Sequence, residues 1–321
     1  MLIYSAAIIV GFALLVWGAD RFVVGAAATA HNLGVSSLLI GLTVVGFGTS
    51  APEILVSMNA AIGGNPKLAI GNAIGSNIAN IALILGITAL VQPLRVRSQT
   101  LSREMPVLLA VTMLTLLPFL DQNLSRPEGF ALLGGLGLMM YWLVRVELES
   151  NVGDPMVAEL EAEIRSDLSM PGAVGMLTVG LIVLLASSKL LVWAAIQVAS
   201  VLGVSDLVIG LTIVAVGTSL PELAASISAA LKNEHDLAIG NVIGSNMYNL
   251  LAVLGVAGAI APTDFERAVL TRDFLVLIGL TIALFAMAYN VGGEGNIKRS
   301  EGAALLIAYF SYMAFIIAGT V

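Results

Sequence analysis

Two acidic residues, Glu53 and Glu222, sit inside strongly apolar stretches. Each ends a Gly-Thr-Ser-x-Pro-Glu motif, with Thr49, Ser50 and Pro52 before the first and Thr218, Ser219 and Pro221 before the second. A charge in such a setting costs at least a few kcal/mol unless it is partnered, so a buried functional site is the default reading. Thr49 and Ser50 precede Glu53 by four and three residues, which puts all three on one helical face. Pro52 has no amide hydrogen, and its ring clashes with the carbonyl of Gly48, while Ala51 before it is pushed out of helical geometry. The helix is therefore predicted to break here, freeing backbone carbonyls around Gly46 to Thr49. A second motif, Gly-Ser-Asn-x-x-Asn, sets Asn72, Ser76 and Asn80 at steps of four, and Asn241, Ser245 and Asn249 repeat it. Everything on offer is oxygen: carboxylate, hydroxyl, amide and carbonyl. Such donors suit hard cations such as calcium, sodium or magnesium, not zinc or copper. Two carboxylates balance one divalent cation or roughly balance two or three monovalent ones, so one cluster can hold either kind of ion but not both fully.

The two motif sets are copies. Matched residues such as Glu53 and Glu222, or Asn80 and Asn249, keep a constant offset of 169, and roughly half of residues 41–80 are identical in the copy. A repeat of this kind must be read before any single element. More ordinary roles exist for parts of it. Gly71 with Gly75, and Gly240 with Gly244, fit plain helix packing. Ser and Thr can bond back to their own helix. Asn72, Asn77, Asn241 and Asn246 fit the role of interhelical glue. Two acids, each after a helix-breaking proline, in duplicated segments, are not covered by those readings.

The elements that carry these residues are membrane spans. The chain is 58% hydrophobic and 11% charged, with a mean hydropathy of +0.99, against about 25% charged in soluble domains. A net charge of −7 without a basic, aromatic stripe speaks against nucleic-acid binding. The absence of cysteine excludes disulfides and thiolate chemistry. Continuous rather than alternating apolar runs favour helices over a barrel. Polar breaks predict an all-α polytopic protein with ten spans, near 2–30, 36–62, 68–92, 104–121, 127–147, 171–200, 205–230, 237–261, 270–290 and 300–320. The first reads as a membrane helix, not a removable signal, because no basic region precedes it. Five spans per copy is an odd number, so the second copy is expected to enter the bilayer from the opposite side as an inverted-topology repeat. The expected units are 1–147, an acidic linker 148–170, and 171–321.

Loops after the odd spans hold Arg95, Arg97, Arg103, Arg145, Arg165, Lys232, Lys298 and Arg299; those after the even spans hold Lys67, Arg126, Arg267 and Arg272. The positive-inside rule puts the first group in the cytoplasm and both termini outside. The linker reads as a solvated connection, because its acids lack the EF-hand spacing of a regulatory calcium site. Asp20 and Lys189 are also 169 apart; Asp20 is expected to pair with Arg21 or a helix end, and Lys189 to snorkel, with a gating contact as the sharper alternative. His31 and His235 are expected in short solvated loops.

The doubled pair of motifs across two five-span halves resembles the cation/calcium exchanger superfamily, and prokaryotic sodium/calcium exchangers most closely. The resemblance covers essentially the whole chain. It implies ten helices, a core of spans 2–5 and 7–10, and long spans 1 and 6 that slide. It implies metal ligands Thr49, Ser50, Glu53, Ser76 and Asn80 with the carbonyl of Gly46, and Thr218, Ser219, Glu222, Ser245 and Asn249 with the carbonyl of Ala215. Calcium would lie between the two glutamates, with sodium around them. Some members carry Asp where this chain has Asn249, and potassium-dependent relatives tend to, so Asn249 speaks against potassium.

The expected function is an antiporter of the inner membrane, not an enzyme, that exports calcium against sodium by alternating access. Its partners are the two ions and the bilayer, with no cofactor, nucleic acid or obligate protein partner. A calcium/proton exchanger on the same scaffold is the alternative, and an uncoupled cation channel a further one.

Overall fold

The computed structural model describes residues 2–33, 46–96, 99–148, 168–288 and 295–318. Nearly all of the acidic linker lies outside them, and with it the regulatory-site alternative. Two long apolar helices, α1 (Leu2–Asn32) and α8 (Met170–Leu202), frame the molecule. At 1.5 Å per residue each is longer than a bilayer core of about 30 Å. They run antiparallel: Gly11 faces Leu191, Gly18 faces Leu184, and Gly25 faces Leu177. Any Cβ on Gly25 would collide with the Leu177 backbone, so glycine sets the closeness of this crossing.

The predicted breaks are present. In the first half α2 (Gly46–Thr49) and α3 (Ala51–Ile62) meet at Ser50. In the second, α9 (Asp206–Ile209), a π-helical turn (Gly210–Val214) and α10 (Ala215–Thr218) meet α11 (Leu220–Leu231) at Ser219, with a bend of 40°. The turn that follows each is closed by a left-handed residue, Gly64 (φ 82°) and Asn233 (φ 65°).

The centre is built from two nearly fully buried spans. One runs through α4 (Pro66–Ile78), a π turn (Ala79–Ile84) and α5 (Leu85–Val91). The other runs through α12 (His235–Tyr248), a π turn (Asn249–Val253) and α13 (Leu254–Ile260). The first crosses the broken span of the other half where Gly71 meets Gly210; a Cβ on either would strike the opposing backbone. Buried Ile70, Ile74 and Ile78 pack with Val242, Ile243 and Met247 around this centre.

Outside lie α6 (Gln99–Leu114), α7 (Arg126–Leu148), α14 (Leu275–Ala288) and α15 (Arg299–Ala318). Gly86 of α5 abuts Gly302 of α15, and Gly255 of α13 abuts Gly129 of α7, so each half lends its last helix to the other. Two small antiparallel ladders do the same: β1 (Leu94–Val96) pairs with β4 (Gly295–Ile297), and β2 (Asn123–Leu124) with β3 (Thr263–Asp264).

The fold is helical as expected, apart from these four strands of two or three residues in the connections between spans. Among the described residues six helices, or seven if the bent pair counts as one, are long and apolar enough to cross a membrane; residues 34–45, which open the second expected span, lie outside the described residues. Other expectations are corrected. Arg103 and Arg145 lie within helices and Arg272 within a π turn (Val269–Phe274), not in loops. His235 is buried as the first residue of α12, whereas His31 is exposed in the last turn of α1.

Candidate ion-binding site

The two breaks have the same local cause. Ser50 (φ −84°, ψ 1°) and Ser219 (φ −84°, ψ 6°) sit in the sparsely allowed bridge region, and each is followed two residues on by a proline in the first turn of a new helix. The glutamates, Glu53 and Glu222, fall in that first turn, and both are fully buried.

Across the centre, each half's motif completes the other's. Thr218 Oγ1 donates to Asn72 Oδ1 at 3.1 Å and lies 3.4 Å from Ser76 Oγ. Thr49 Oγ1 donates to Asn241 Oδ1 at 3.3 Å and lies 3.5 Å from Ser245 Oγ. Ser76 Oγ also reaches the carbonyl of Ala215 at 3.5 Å. Ser219 Oγ donates to Glu53 Oε1 at 3.2 Å, which brings Glu53 beside the turn that carries Glu222. Glu222 Oε1 accepts from Ser245 Oγ, also at 3.2 Å.

Asn72 and Asn241 hold this arrangement. Asn72 Nδ2 donates to the Glu53 carbonyl and to Ser57 Oγ; Asn241 Nδ2 donates to the Glu222 carbonyl and to Ser226 Oγ. Ser57 and Ser226 are the residues that sequence reasoning missed, although they are identical and 169 apart, a signal that was present. Asn77 Nδ2 instead bonds back to Ala73 O at 2.7 Å.

Several buried oxygens in the cluster have no hydrogen-bond donor among the described residues: Ser50 Oγ, Glu53 Oε2, Glu222 Oε2, Asn80 Oδ1 and Asn249 Oδ1. Native interiors rarely leave such atoms unsatisfied, at about 1–3 kcal/mol each. Asn80 and Asn249 both lie at the start of a π turn, an irregularity that re-aims side chains and recurs at functional sites. Of the predicted residues the structure thus brings together Thr49, Glu53, Ser76, Ala215, Thr218, Ser219, Glu222 and Ser245 by direct bonds. Ser50, Asn80 and Asn249 are fully buried on the same elements, and Gly46 opens α2. The oxygen-only donor set fits a hard cation. Among the described residues no group of three or more His, Cys, Asp or Glu that could hold a metal ion is present, so the donor set rests on two carboxylates with hydroxyl, amide and carbonyl oxygens.

The cluster is not sealed. A cavity of about 680 Å³ between α1 and α11 reaches it, with Asp20, Thr49, Pro221, Ser228 and Asn241 in its wall. α1 also covers both breaks: Val23 Cγ2 lies 2.6 Å from where a Cβ on Gly48 would stand, and the Phe12 ring blocks the same place at Gly217. A separate ion pair lies on the outer layer, where buried Asp273 accepts from half-buried Arg272 Nε at 2.6 Å and from Tyr312 Oη at 3.0 Å. Arg103 and Glu104 stand at the matched positions of the first half.

A sequence model of the family described as sodium/calcium exchanger protein matches residues 3–145 and 172–318. A protein of Alkalimonas amylolytica named as an antiporter, CaxA, is 48% identical over 97% of this chain and 98% of its own length. The sodium/calcium exchanger MaX1 of Methanosarcina acetivorans is 32% identical over 95% and 96%. A solved structure of the sodium-calcium exchanger NCX_Mj, soaked with sodium and strontium, superposes with a TM-score of 0.69 at 32% identity, covering 98% of this chain and 99% of that one.

Proposed function

This chain belongs to the sodium/calcium exchanger protein family, a family of membrane transporters, and from that premise we propose that it exports calcium in exchange for sodium. It does so without covalent chemistry. The observation that carries the reading is the meeting of two fully buried glutamates from duplicated helix breaks, with Ser219 of one break bonded to Glu53 of the other. Two carboxylates in one oxygen cage cannot neutralise a calcium ion and a full set of sodium ions together, so the ions exclude each other. Mutual exclusion is what couples their fluxes.

The ligands we propose are Thr49, Ser50, Glu53, Ser76, Asn80 and the Gly46 carbonyl, with Thr218, Ser219, Glu222, Ser245, Asn249 and the Ala215 carbonyl. The chain is organised as two five-helix units, 1–147 and 171–321, inverted with respect to each other and joined by a cytoplasmic linker, 148–170. The antiparallel run of the matched helices α1 and α8 supports inversion. We place the protein in the inner membrane with both termini outside; similarity to the Escherichia coli inner membrane protein YrbG, 39% identical over 98% of this chain and 97% of that protein, supports the membrane.

Everted vesicles loaded with sodium test this. Calcium uptake is expected when sodium runs out and the proton gradient is collapsed. Uptake only with a proton gradient would assign proton coupling instead, and uptake indifferent to both gradients would indicate a channel.

A further inference from the structure

The cavity beside Thr49 contains a charge that the transport site does not use. Asp20 stands well inside α1, an apolar helix of 31 residues, and its side chain is 62% exposed. A carboxylate at that depth is tolerated when it faces water or protein rather than lipid. Its surroundings supply that: Asp20 shares the cavity wall with Thr49, Ser228 and Asn241. Val23, which covers Gly48, follows it by three residues, so Asp20 lies about 4.5 Å along the axis from the contact with the helix break. The neighbouring Arg21 Nε is 3.7 Å away and its guanidinium leans over Trp17, leaving the carboxylate only partly offset. At the matched position α8 carries Lys189, so the two framing helices present opposite charges.

We propose that Asp20 is an outer docking station for the cation, a site distinct from the buried cage. It takes a hard cation with most of its water retained, because one carboxylate offers far fewer than the six to eight oxygens that calcium needs when stripped. Weak attraction is the useful property here. It raises the local cation concentration at Thr49 and Asn241 without trapping the ion, and a divalent ion is favoured over a monovalent one by its charge. As a role in transport this rests on the antiporter reading; as a binding site it does not.

Two measurements separate those claims. In sodium-loaded everted vesicles at low ionic strength, Asp20→Asn is expected to raise the half-saturating calcium concentration about threefold to tenfold, as loss of electrostatic focusing does. The gap should close in about 0.5 M choline chloride, where the screening length falls to roughly 4 Å. Asp20→Glu should behave as wild type, and Arg21→Gln should lower the half-saturating concentration. An unchanged half-saturation in both Asp20→Asn and Arg21→Gln, or a loss confined to the saturated rate, overturns the proposal. Independently, purified protein carrying Glu53→Gln and Glu222→Gln is titrated with terbium, read through sensitisation by Trp17, one turn from Asp20. The signal is expected to persist there and to vanish when Asp20→Asn is added; a signal indifferent to Asp20 rejects the station. Wild-type vesicles without sodium-driven uptake would reject the antiporter reading alone, and the terbium result would still decide the site.

Discussion

The two framing interfaces use matched positions and end differently. Where α3 meets α8, Pro52 and Val56 are buried, and Asn59 Nδ2 donates to Ser188 Oγ at 2.7 Å across the boundary. Where α11 meets α1, the matched residues Pro221, Ala225 and Ser228 line a cavity, and Ala19 stands where Ser188 would. Leu55, Val56 and Asn59 have become Ala224, Ala225 and Ser228. Small side chains thus leave the volume on one side, and the other side has a side-chain hydrogen bond that its counterpart cannot form, because Ala19 offers Ser228 no polar side chain. A pseudo-symmetric transporter need not have equal energies for its two facings, and here the side chains themselves differ.

That comparison presumes a single cage reached from either side. If so, Glu53→Gln and Glu222→Gln should each bring sodium-driven calcium uptake to background, because each removes half of the charge that balances calcium. A variant that retained uptake with only one acid changed would mean that the halves work separately. Filling the open side with the other side's residues, Ala224→Leu with Ala225→Val, should slow uptake on the order of tenfold by obstructing the route, while the melting temperature holds or rises. Unimpaired flux would show that ions do not use this cavity. Both faces share the Gly71–Gly210 crossing, so Gly71→Ala should lower stability by about 1–3 kcal/mol through overpacking, read as thermal unfolding in detergent. The smallest effect is expected from Ser188→Ala. Losing one hydrogen bond of about 1 kcal/mol shifts a two-state ratio about fivefold. Because the chain has no cysteine, Val56→Cys gives a background-free probe, and its labelling by a maleimide should quicken when Ser188→Ala is added. Equal labelling would make the Asn59–Ser188 bond irrelevant to which side is sealed.

Much of the candidate site's local structure is legible in the sequence because its causes are local. Pro52 and Pro221 dictate a new helix start wherever the chain goes, and Ser50 and Ser219 duly adopt the same backbone angles. The offset of 169 pairs every residue of the proposed cage and also Ser57 and Ser226, which lie outside both motifs. His235 was misjudged because a polar residue beside Lys232 to Glu234 looks solvated until the fold covers it.

The amino-acid order alone determined the class of protein, the duplication, the two broken spans and the oxygen-only chemistry, because each follows from residue type and short-range sterics. Tertiary structure decided which Thr answers which Asn, that Ser219 serves Glu53 while Ser245 serves Glu222, and which interface stands open. Those are contacts between residues far apart in the chain and between near-identical motifs. Among the described residues the copies differ in side chains at the α1 and α8 interfaces and in which serine meets which glutamate.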